Sequence, residues 1–256
     1  MKLAVALADH FQRSYKAFTG FKVFGWSWTP LWFFYLFSPL LSRILRPQEW
    51  SCKLCRFRTD QGDAYTFANI LEDYPVDDVS SALNGVEKVI DAGANVGAFS
   101  LLIQKLADGR LLEIVALEPM DDNVALLKRQ PFAKSMTVLA AALGPIDGYV
   151  TMQRGFNSVT HRADFKNVSD EDQVPMFGLA GLCDRPTLLK MDIEGGEHAV
   201  LAAGLPENVT ALFLEWHPIA GEETSDPRNL IKHGQWKLVS KDIYGSSMWF
   251  WRAKEA

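Results

Sequence analysis

The chain has 256 residues, of which 48% are hydrophobic, and its formal net charge at pH 7 is −5. The length allows one sizeable α/β domain or two small ones, and the apolar content excludes an intrinsically disordered chain. Because the overall charge is acidic, the chain is not of the class that holds nucleic acid electrostatically, and we expect no nucleic-acid partner.

The chain starts with a short apolar run that Asp9 and His10 interrupt, and this run is too short for the core of a secretory signal. Its three cysteines are too few for a disulfide framework and favour a reducing compartment. Cys52 and Cys55 have the spacing of half a zinc site. A structural zinc needs four ligands, so we interpret both as ordinary cysteines. These features predict a cytoplasmic protein, with membrane association as an open alternative.

Residues 1–60 are predicted to form an N-terminal helical, aromatic-rich extension. Within it, the segment 24–46 is crowded with Trp and Phe and carries no charge before Arg43 and Arg46. Aromatic residues beside basic ones are typical of a helix that lies on a membrane surface. Prolines at 30 and 39 argue against an unbroken spanning helix. Peripheral membrane contact, packing on the following domain and a homodimer face remain open for this segment.

Strands and helices alternate through the remaining residues, 61–256, which we interpret as one domain. The predicted strands are 86–91, 112–118, 136–143, 187–191 and 211–215, and the predicted helices are 99–107, 122–129 and 197–203. This alternation is typical of a parallel sheet with right-handed crossovers. A polar loop is predicted over 164–172. Two alternating segments, 235–239 and 247–251, flank Tyr244-Gly245-Ser246 and predict a C-terminal antiparallel hairpin.

The segment 89–100 carries the strongest functional signal, because an apolar strand ends in Asp91 and turns through two glycines into a helix. Gly93 allows the chain to turn where a side chain would clash, and Gly97 allows a close approach to ligand or sheet. A dinucleotide fingerprint requires a third glycine where Asn95 stands. The turn therefore favours a cofactor with one nucleoside and no phosphate, namely S-adenosylmethionine.

In an open parallel sheet, ligands bind beyond the carboxyl ends of the strands, so the residues at these ends form the candidate site. They are Asp91, Glu118, Lys190, Asp192, Glu194, Glu215 and His217. Glu118 follows the second strand directly and is a candidate acceptor for both ribose hydroxyls. His217 follows the fifth strand and is a candidate base near neutral pH.

Four segments in the same order resemble the FkbM-type family of S-adenosylmethionine-dependent methyltransferases. They are VIDAGANVG at 89–97, ALEP at 116–119, LLKMDIEG at 188–195 with Glu197, and LEWH at 214–217. The resemblance implies a Rossmann-like class I methyltransferase fold, with a mostly parallel seven-stranded sheet whose reversed strand comes from the C-terminal hairpin. It also implies O-methylation of a hydroxyl on a sugar, glycan or other small natural product.

The resemblance also implies roles for individual residues. Asp91, Gly93, Asn95 and Gly97 would line the methionine side of the cofactor, Glu118 would hold the ribose, and Asp192 would face the methyl centre. The chain departs from the family pattern at 178–183, and residues 155–158 resemble only loosely a small-residue loop of the family.

For the chemistry, His217 is the first candidate for the base that deprotonates the hydroxyl, with Glu215 or Glu194 orienting it. Lys190 and Asp192 complete the predicted catalytic set. The preferred mechanism uses no metal. The alternative is a divalent metal held by Asp192, Glu194 and Glu215.

Two other functions remain open on the same fold. One is a nicotinamide-dependent oxidoreductase, which the missing third glycine disfavours. The other is a non-catalytic, membrane-associated binding module, which the set of acids at the strand ends disfavours.

Overall fold

The structure, a computed structural model, describes residues 19–44, 48–153, 162–164, 173–217, 226–231, 236–241 and 248–253. Its α-helices are α1 Thr29–Ile44, α2 Asp63–Asp73, α3 Val76–Ala82, α4 Ala98–Leu106, α5 Asp121–Leu127 and α6 Glu197–Ala203. The first strands are β1 Glu49–Ser51, β2 Arg56–Arg58, β3 Lys88–Ala92, β4 Glu113–Leu117, β5 Thr137–Leu139, β6 Ala142–Gly144 and β7 Gly148–Gln153. They are followed by β8 Arg162–Asp164, β9 Gln173–Gly178, β10 Thr187–Met191, β11 Val209–Glu215, β12 Trp236–Lys241 and β13 Met248–Ala253.

A large sheet organises the domain and confirms the mixed α/β class. Among the described residues it contains seven strands in the order β12-β13-β11-β10-β3-β4-β5. From β11 to β5 each neighbouring pair is parallel, whereas β13 pairs antiparallel with both β11 and β12. The C-terminal hairpin is therefore present, and its predicted turn at 244–246 lies outside the described residues. Every residue of β3 and β10 is buried, as expected for central parallel strands with covered faces.

The register of the central strands brings the candidate residues to one edge of the sheet. Ala92 pairs with Met191 on one side and with Leu117 on the other. The next residues along the three strands, Gly93, Asp192 and Glu118, consequently emerge side by side.

The predicted third strand, 136–143, is wrong as a single element. Residues 137–139 form β5 in the large sheet, whereas 142–144 form β6 in a second sheet of order β6-β9-β7-β8. The bend between them is fixed because Ala141 N–H donates to the carbonyl of Glu118 at 3.2 Å. A local apolar run cannot reveal this change of sheet. Asp164 ends β8, and most of the predicted loop, 165–172, lies outside the described residues, as does 155–158.

The N-terminal region shares one hydrophobic core with the domain. Trp28, Leu31 and Phe34 are at most 2% exposed and lie in the same cluster as Phe57 and Phe67. Full burial of a large apolar side chain stabilises a fold by about 1.5–3 kcal/mol, so these residues hold α1 against α2. Packing on the domain is therefore observed for one face of α1.

Other aromatic side chains of this region point away from the core. Trp26 is 86% exposed, and Phe33 and Phe37 are also exposed. The structure describes neither the side chain of Arg43 nor any part of Arg46. None of the helices in the described part of the chain has both the length and the apolar character needed to span a bilayer. Contact with a membrane surface or a second copy stays a prediction.

Residues 49–58 correct the expectation that the whole extension is helical. They form an antiparallel hairpin in which Trp50 pairs with Phe57, and the Cys52–Cys55 segment closes it. Both aromatic rings contact Phe34 of α1 at centroid distances of 5.1 Å. The hairpin is thus fixed by residues distant in sequence, which a local helical pattern cannot anticipate.

Candidate active site

The turn between β3 and α4 requires glycine at two positions for different reasons. At Gly93, where φ is +72°, a Cβ atom would lie 1.7 Å from the carbonyl oxygen of Asp192, so no side chain fits. At Gly97, where φ is +92°, a Cβ atom would lie 2.6 Å from Leu127 and 3.0 Å from Phe132. Gly93 therefore lets the turn meet the end of β10. Gly97 serves packing against α5 and the segment after it, and not, as we expected, an approach to ligand or sheet.

Three successive amides of this turn are occupied by the protein itself. The N–H groups of Gly93 and Ala94 both donate to the carbonyl of Leu117, at 3.0 and 2.9 Å. Asn95 N–H donates to Oε2 of Glu118 at 2.8 Å. A pyrophosphate on such a turn needs free amide donors. These three amides are therefore not available to a pyrophosphate.

Glu118 is held in one orientation before any ligand arrives. Its Oε1 accepts from the N–H of Met120 at 3.0 Å and from Nδ2 of Asn123 at 3.2 Å, and its Oε2 accepts from Asn95. The residue is 4% exposed, and burial raises the pKa of its carboxyl, although these hydrogen bonds oppose the rise. Glu118 lines the central cavity, so it can present a fixed hydrogen-bond acceptor to a ligand there.

Lys190 turns inward and ties the glycine turn to β10. Its Nζ donates to the carbonyls of Gly93 at 2.7 Å and Ala92 at 3.2 Å, and lies 3.5 Å from carboxylate oxygens of Asp91 and Asp192. Burial lowers the pKa of Lys190, but the two aspartate charges outweigh it and raise the pKa overall. Lys190 is therefore a charged positioning residue, and its donors are already engaged by the protein.

Asp91, predicted to line the cofactor site, is fully buried beneath it. Its Oδ2 accepts from Oγ of Ser100 at 2.7 Å, and its Oδ1 faces Lys190. The carboxylate supports the turn through these contacts and does not line the cavity.

His217 is oriented by Glu197, a residue outside the predicted site. Nδ1 of His217 lies 2.9 Å from Oε1 of Glu197, which is fully buried. Glu197 also accepts from the N–H groups of Ile193 at 2.9 Å and Gly195 at 2.8 Å. An ionised carboxylate only accepts hydrogen bonds, so Nδ1 carries the proton and Nε2 faces the other way. Glu197, and not Glu215 or Glu194 as predicted, therefore holds the imidazole, since the two predicted acids lie only near Nε2.

On the Nε2 side, His217 faces a group of acids at the cavity. Nε2 lies 3.5 Å from Glu194 and 3.8 Å from Glu215. Burial raises the pKa of Glu215 to about 8, helped by the charge of Asp192. Burial acts to lower the pKa of His217, but the hydrogen bond and charge of Glu197, with the charges of Asp192 and Glu194, raise it to about 9. Without a ligand, the surroundings of Glu215 and His217 therefore favour the protonated form of each side chain.

Asp192, Glu194 and His217 form the group of metal-ligating side chains found among the described residues. Their nearest ligand atoms all lie within 4.8 Å of one another. The predicted metal set contained Glu215 in place of His217. Imidazole and carboxylate together suit Mn²⁺ or Zn²⁺, so a divalent cation fits the donors that this group offers.

These residues meet at a cavity of about 300 Å³, which is the lower end of the range for small-molecule pockets. Of the predicted residues, Gly93, Asn95, Glu118, Asp192, Glu194 and Glu215 line it. His217 reaches it through its contacts with Glu194 and Glu215, whereas Asp91, Gly97 and Lys190 support it from behind.

One wall of the cavity was missed by sequence reasoning. Helix α2 contributes Thr66, Asn69 and Asp73, and the small sheet contributes Leu143 and Met152. The three α2 residues follow spacings of three and four, which places them on one face of a helix. A polar stripe on a partly buried helix is a signal that could have identified this wall.

Two non-glycine residues at the cavity adopt the left-handed backbone region. Asn95 has a φ of +49° and Glu194 a φ of +52°. Such conformations cost of order 1 kcal/mol and cluster at functional sites, where surrounding contacts enforce them. Here both line the same pocket, one after β3 and one after the neighbouring strand β10.

Comparison with known proteins identifies a family for this chain. The family model described as "Methyltransferase FkbM domain" matches residues 91–235, more than half of the chain. A search of curated proteins finds no match. The crystal structure of methyltransferase FkbM from Methylobacillus flagellatus is 17% identical, with a TM-score of 0.44, and the match covers 66% of this chain and 44% of that one.

A second solved structure, that of EvdMO1, is 15% identical with a TM-score of 0.39. The match covers 70% of this chain and 41% of EvdMO1, so the chain spans less than half the length of either structure. The matched family residues begin at Asp91 and include Glu118, the 190–197 segment and His217. On the family model, the chain belongs to the FkbM methyltransferase domain family.

Proposed function

We propose that this chain is an S-adenosylmethionine-dependent O-methyltransferase that acts on a hydroxyl of a sugar or other small natural product. The observation that carries the proposal is the pairing of a fixed carboxylate, Glu118, with a carboxylate-oriented imidazole, His217, around one cavity. The mostly parallel sheet, with its reversed C-terminal strand and a site at the carboxyl ends of its strands, supports a Rossmann-like class I fold.

The residues that follow β3, β4 and β10 fit the cofactor. S-adenosylmethionine, when bound, supplies an electrophilic methyl group on a positively charged sulfonium. Glu118 would accept from the ribose hydroxyls, and Gly93 and Asn95 line the same part of the cavity. Asp192, at the end of β10, would meet the periphery of the cofactor and contribute a negative charge there.

His217, which follows β11, and its partner Glu197 fit the acceptor. A hydroxyl is a poor nucleophile until a base removes its proton, whereas a neutral amine needs no such base. In His217, Nδ1 is committed to Glu197, so Nε2 is the atom that would accept the proton. Glu197 then stabilises the imidazolium that forms. This arrangement favours an O–H acceptor.

The raised pKa of His217 is compatible with this role once a cation binds. In the ligand-free site, Glu197, Asp192 and Glu194 hold the proton on the imidazole. A positive charge bound beside Asp192 and Glu194 offsets their effect and lowers the pKa of His217. Binding of a positively charged cofactor would thus prepare Nε2 to accept a proton near neutral pH.

A second route to an activated hydroxyl uses a divalent metal, because Asp192, Glu194 and His217 can converge on one ion. The ion would lower the pKa of the bound hydroxyl. In that case His217 would be a ligand, and its replacement and chelation would have the same effect on turnover.

The proposal is tested by calorimetry with S-adenosylmethionine, S-adenosylhomocysteine and NAD, followed by transfer of a labelled methyl group to a panel of sugars and phenols. We expect micromolar binding of the first two, near −8 kcal/mol, and label transfer to at least one acceptor. Binding of NAD without S-adenosylmethionine would favour the oxidoreductase. Cofactor binding without transfer to any acceptor would favour the non-catalytic module.

A further inference from the structure

A pair of cysteines outside the cavity forms a second reactive centre. Cys52 and Cys55 face each other where the β1–β2 hairpin closes, with Cys52 N–H donating to the carbonyl of Cys55 at 2.8 Å. Their Sγ atoms are 3.8 Å apart. A disulfide requires about 2.05 Å, so the two atoms need to approach by less than about 2 Å. Among the described residues, neither cysteine belongs to a metal-ligating group of three or more.

The two thiols differ in the way that thiol–disulfide exchange requires. Cys52 is partly exposed, and the hydrogen bond between the two thiols lowers the pKa of Cys52 to about 6. Cys55 is fully buried, and its pKa is raised by the same hydrogen bond and by burial. An accessible thiolate beside a protonated, protected thiol forms an attacking and resolving pair. Cys183, in contrast, is buried in a different hydrophobic cluster from Cys55, and burial raises the pKa of Cys183 to about 11.

Side-chain hydrogen bonds connect the hairpin that holds this pair to the carboxylate of Glu118. On β2, the guanidinium of Arg58 donates to Asp63 at 2.8 and 2.9 Å and to Oδ1 of Asn123 at 2.7 Å. Nδ2 of Asn123 in turn donates to Glu118 at 3.2 Å. Strand β2 is therefore connected to Glu118 through two side chains, Arg58 and Asn123.

We propose that Cys52 and Cys55 form a thiol–disulfide exchange site whose oxidation loosens the hydrogen bonds that hold Glu118 in the cavity. The Cys52 thiolate attacks one sulfur of a small-molecule disulfide, and one half of that molecule leaves as a thiolate. Cys55 then loses its proton to solvent and attacks Sγ of Cys52, which releases the second half. The cysteines lose two electrons, and the small disulfide gains them and becomes two thiols.

The exchange itself is tested on the full-length protein in buffers of reduced and oxidised glutathione, with mass spectrometry of the peptides. We expect a reversible loss of two hydrogens within the peptide that contains residues 52–55, in the parent protein and equally in the matched control Cys183→Ser. Cys52→Ser, which changes a partly exposed side chain, abolishes it. A stable glutathione adduct on Cys52, a link to Cys183 or no oxidation would each overturn the proposal.

The effect on Glu118 is tested by hydrogen exchange at residues 118–127 without ligand, and by calorimetry with S-adenosylhomocysteine. Oxidation should speed exchange of the Met120 amide, which donates to Glu118, and weaken ligand binding about fivefold, the low end of typical coupling between sites. Cys52→Ser should show neither change. Unaltered exchange in the oxidised protein would overturn the coupling. The calorimetric arm rests on the proposed function. If neither redox form binds the ligand, that function fails, while hydrogen exchange still decides the coupling.

Discussion

The two sides of the cavity are built on opposite principles. On the Glu118 side, one carboxylate is satisfied by three donors within 3.2 Å, two of them backbone amides. On the other side, several carboxylates surround Lys190 and His217. The pKa values of Glu215 and His217 are raised there to about 8 and 9. The first side is complete before a ligand arrives. The His217 side has an excess of carboxylates, which favours bound protons until a cation binds.

This difference predicts that a variant on the His217 side affects turnover most. His217→Ala should reduce turnover by about 10²–10⁴-fold, the usual contribution of a general base. Cofactor affinity should not fall, because Glu118 and the glycine turn stay intact. Turnover is measured by transfer of labelled methyl groups and affinity by calorimetry, with circular dichroism as the check on folding.

Chelation in the same assay distinguishes a base from a metal ligand. If His217 acts as the base, EDTA leaves turnover of the parent protein unchanged. If Asp192, Glu194 and His217 hold an ion, EDTA abolishes turnover, and Mg²⁺ or Mn²⁺ restores it. Full turnover of His217→Ala combined with complete loss under EDTA would remove His217 from the mechanism altogether.

On the opposite side, Glu118→Ala should weaken cofactor binding by about 1–3 kcal/mol, or about 5–150-fold, because it removes a charged hydrogen-bond acceptor and leaves buried donors unpaired. Glu113→Ala is the matched control, since it removes the same side chain from the other end of β4, where Glu113 is exposed and contacts Lys88. Equal affinity of the Glu118 variant and the parent would show that the ribose assignment is wrong.

Glu197→Gln tests whether charge sets the behaviour of His217. Removal of the negative charge lowers the pKa of His217, so the imidazole loses its proton at a lower pH. Activity is expected to rise with pH as His217 loses its proton and can act as the base. In Glu197→Gln this rise should move to lower pH by about one unit, with most of the maximal rate retained. A merely structural role for Glu197 would reduce the rate at every pH and leave the midpoint unchanged.

The smallest effect expected is on stability. The pKa of His217 rises from 6.5 to about 9 in the fold, so its protonation stabilises the protein below pH 6.5, and this contribution is lost as pH rises through 9. Glu215 acts in the same direction, because its ionisation in the fold is disfavoured up to a pKa of about 8. Urea denaturation should show a lower free energy of unfolding at pH 9 than at pH 6. His217→Ala should reduce that difference.

Several parts of this site were predictable because their signals are local. A buried strand followed by a glycine turn marks the segment after Asp91, and acids directly after apolar strands mark Glu118 and Asp192. Parallel strands end at the same edge of a sheet, so the meeting of these residues follows from the alternation of elements. The α/β class follows from the same alternation, and the family follows from four short motifs in order.

Other features depend on contacts between residues far apart in sequence. Lys190 and Asp192 have similar sequence settings at the end of one strand, yet Lys190 turns inward to the carbonyl of Gly93 and Asp192 lines the cavity. Their directions depend on contacts with the neighbouring strand β3, and the sequence of β10 alone does not encode these contacts. For the same reason, the bend that splits 137–144 between two sheets could not be predicted from its own apolar run.

The sequence by itself determined the class of fold, the family and the strand ends at which the site lies, because periodicity and short motifs are encoded within a few neighbouring residues. Only the tertiary structure decided which acid orients His217, which helix closes the cavity and how the Cys52–Cys55 hairpin connects to Glu118. Each of these depends on distances between segments separated by about 20 residues or more, and such distances follow from packing of the whole chain.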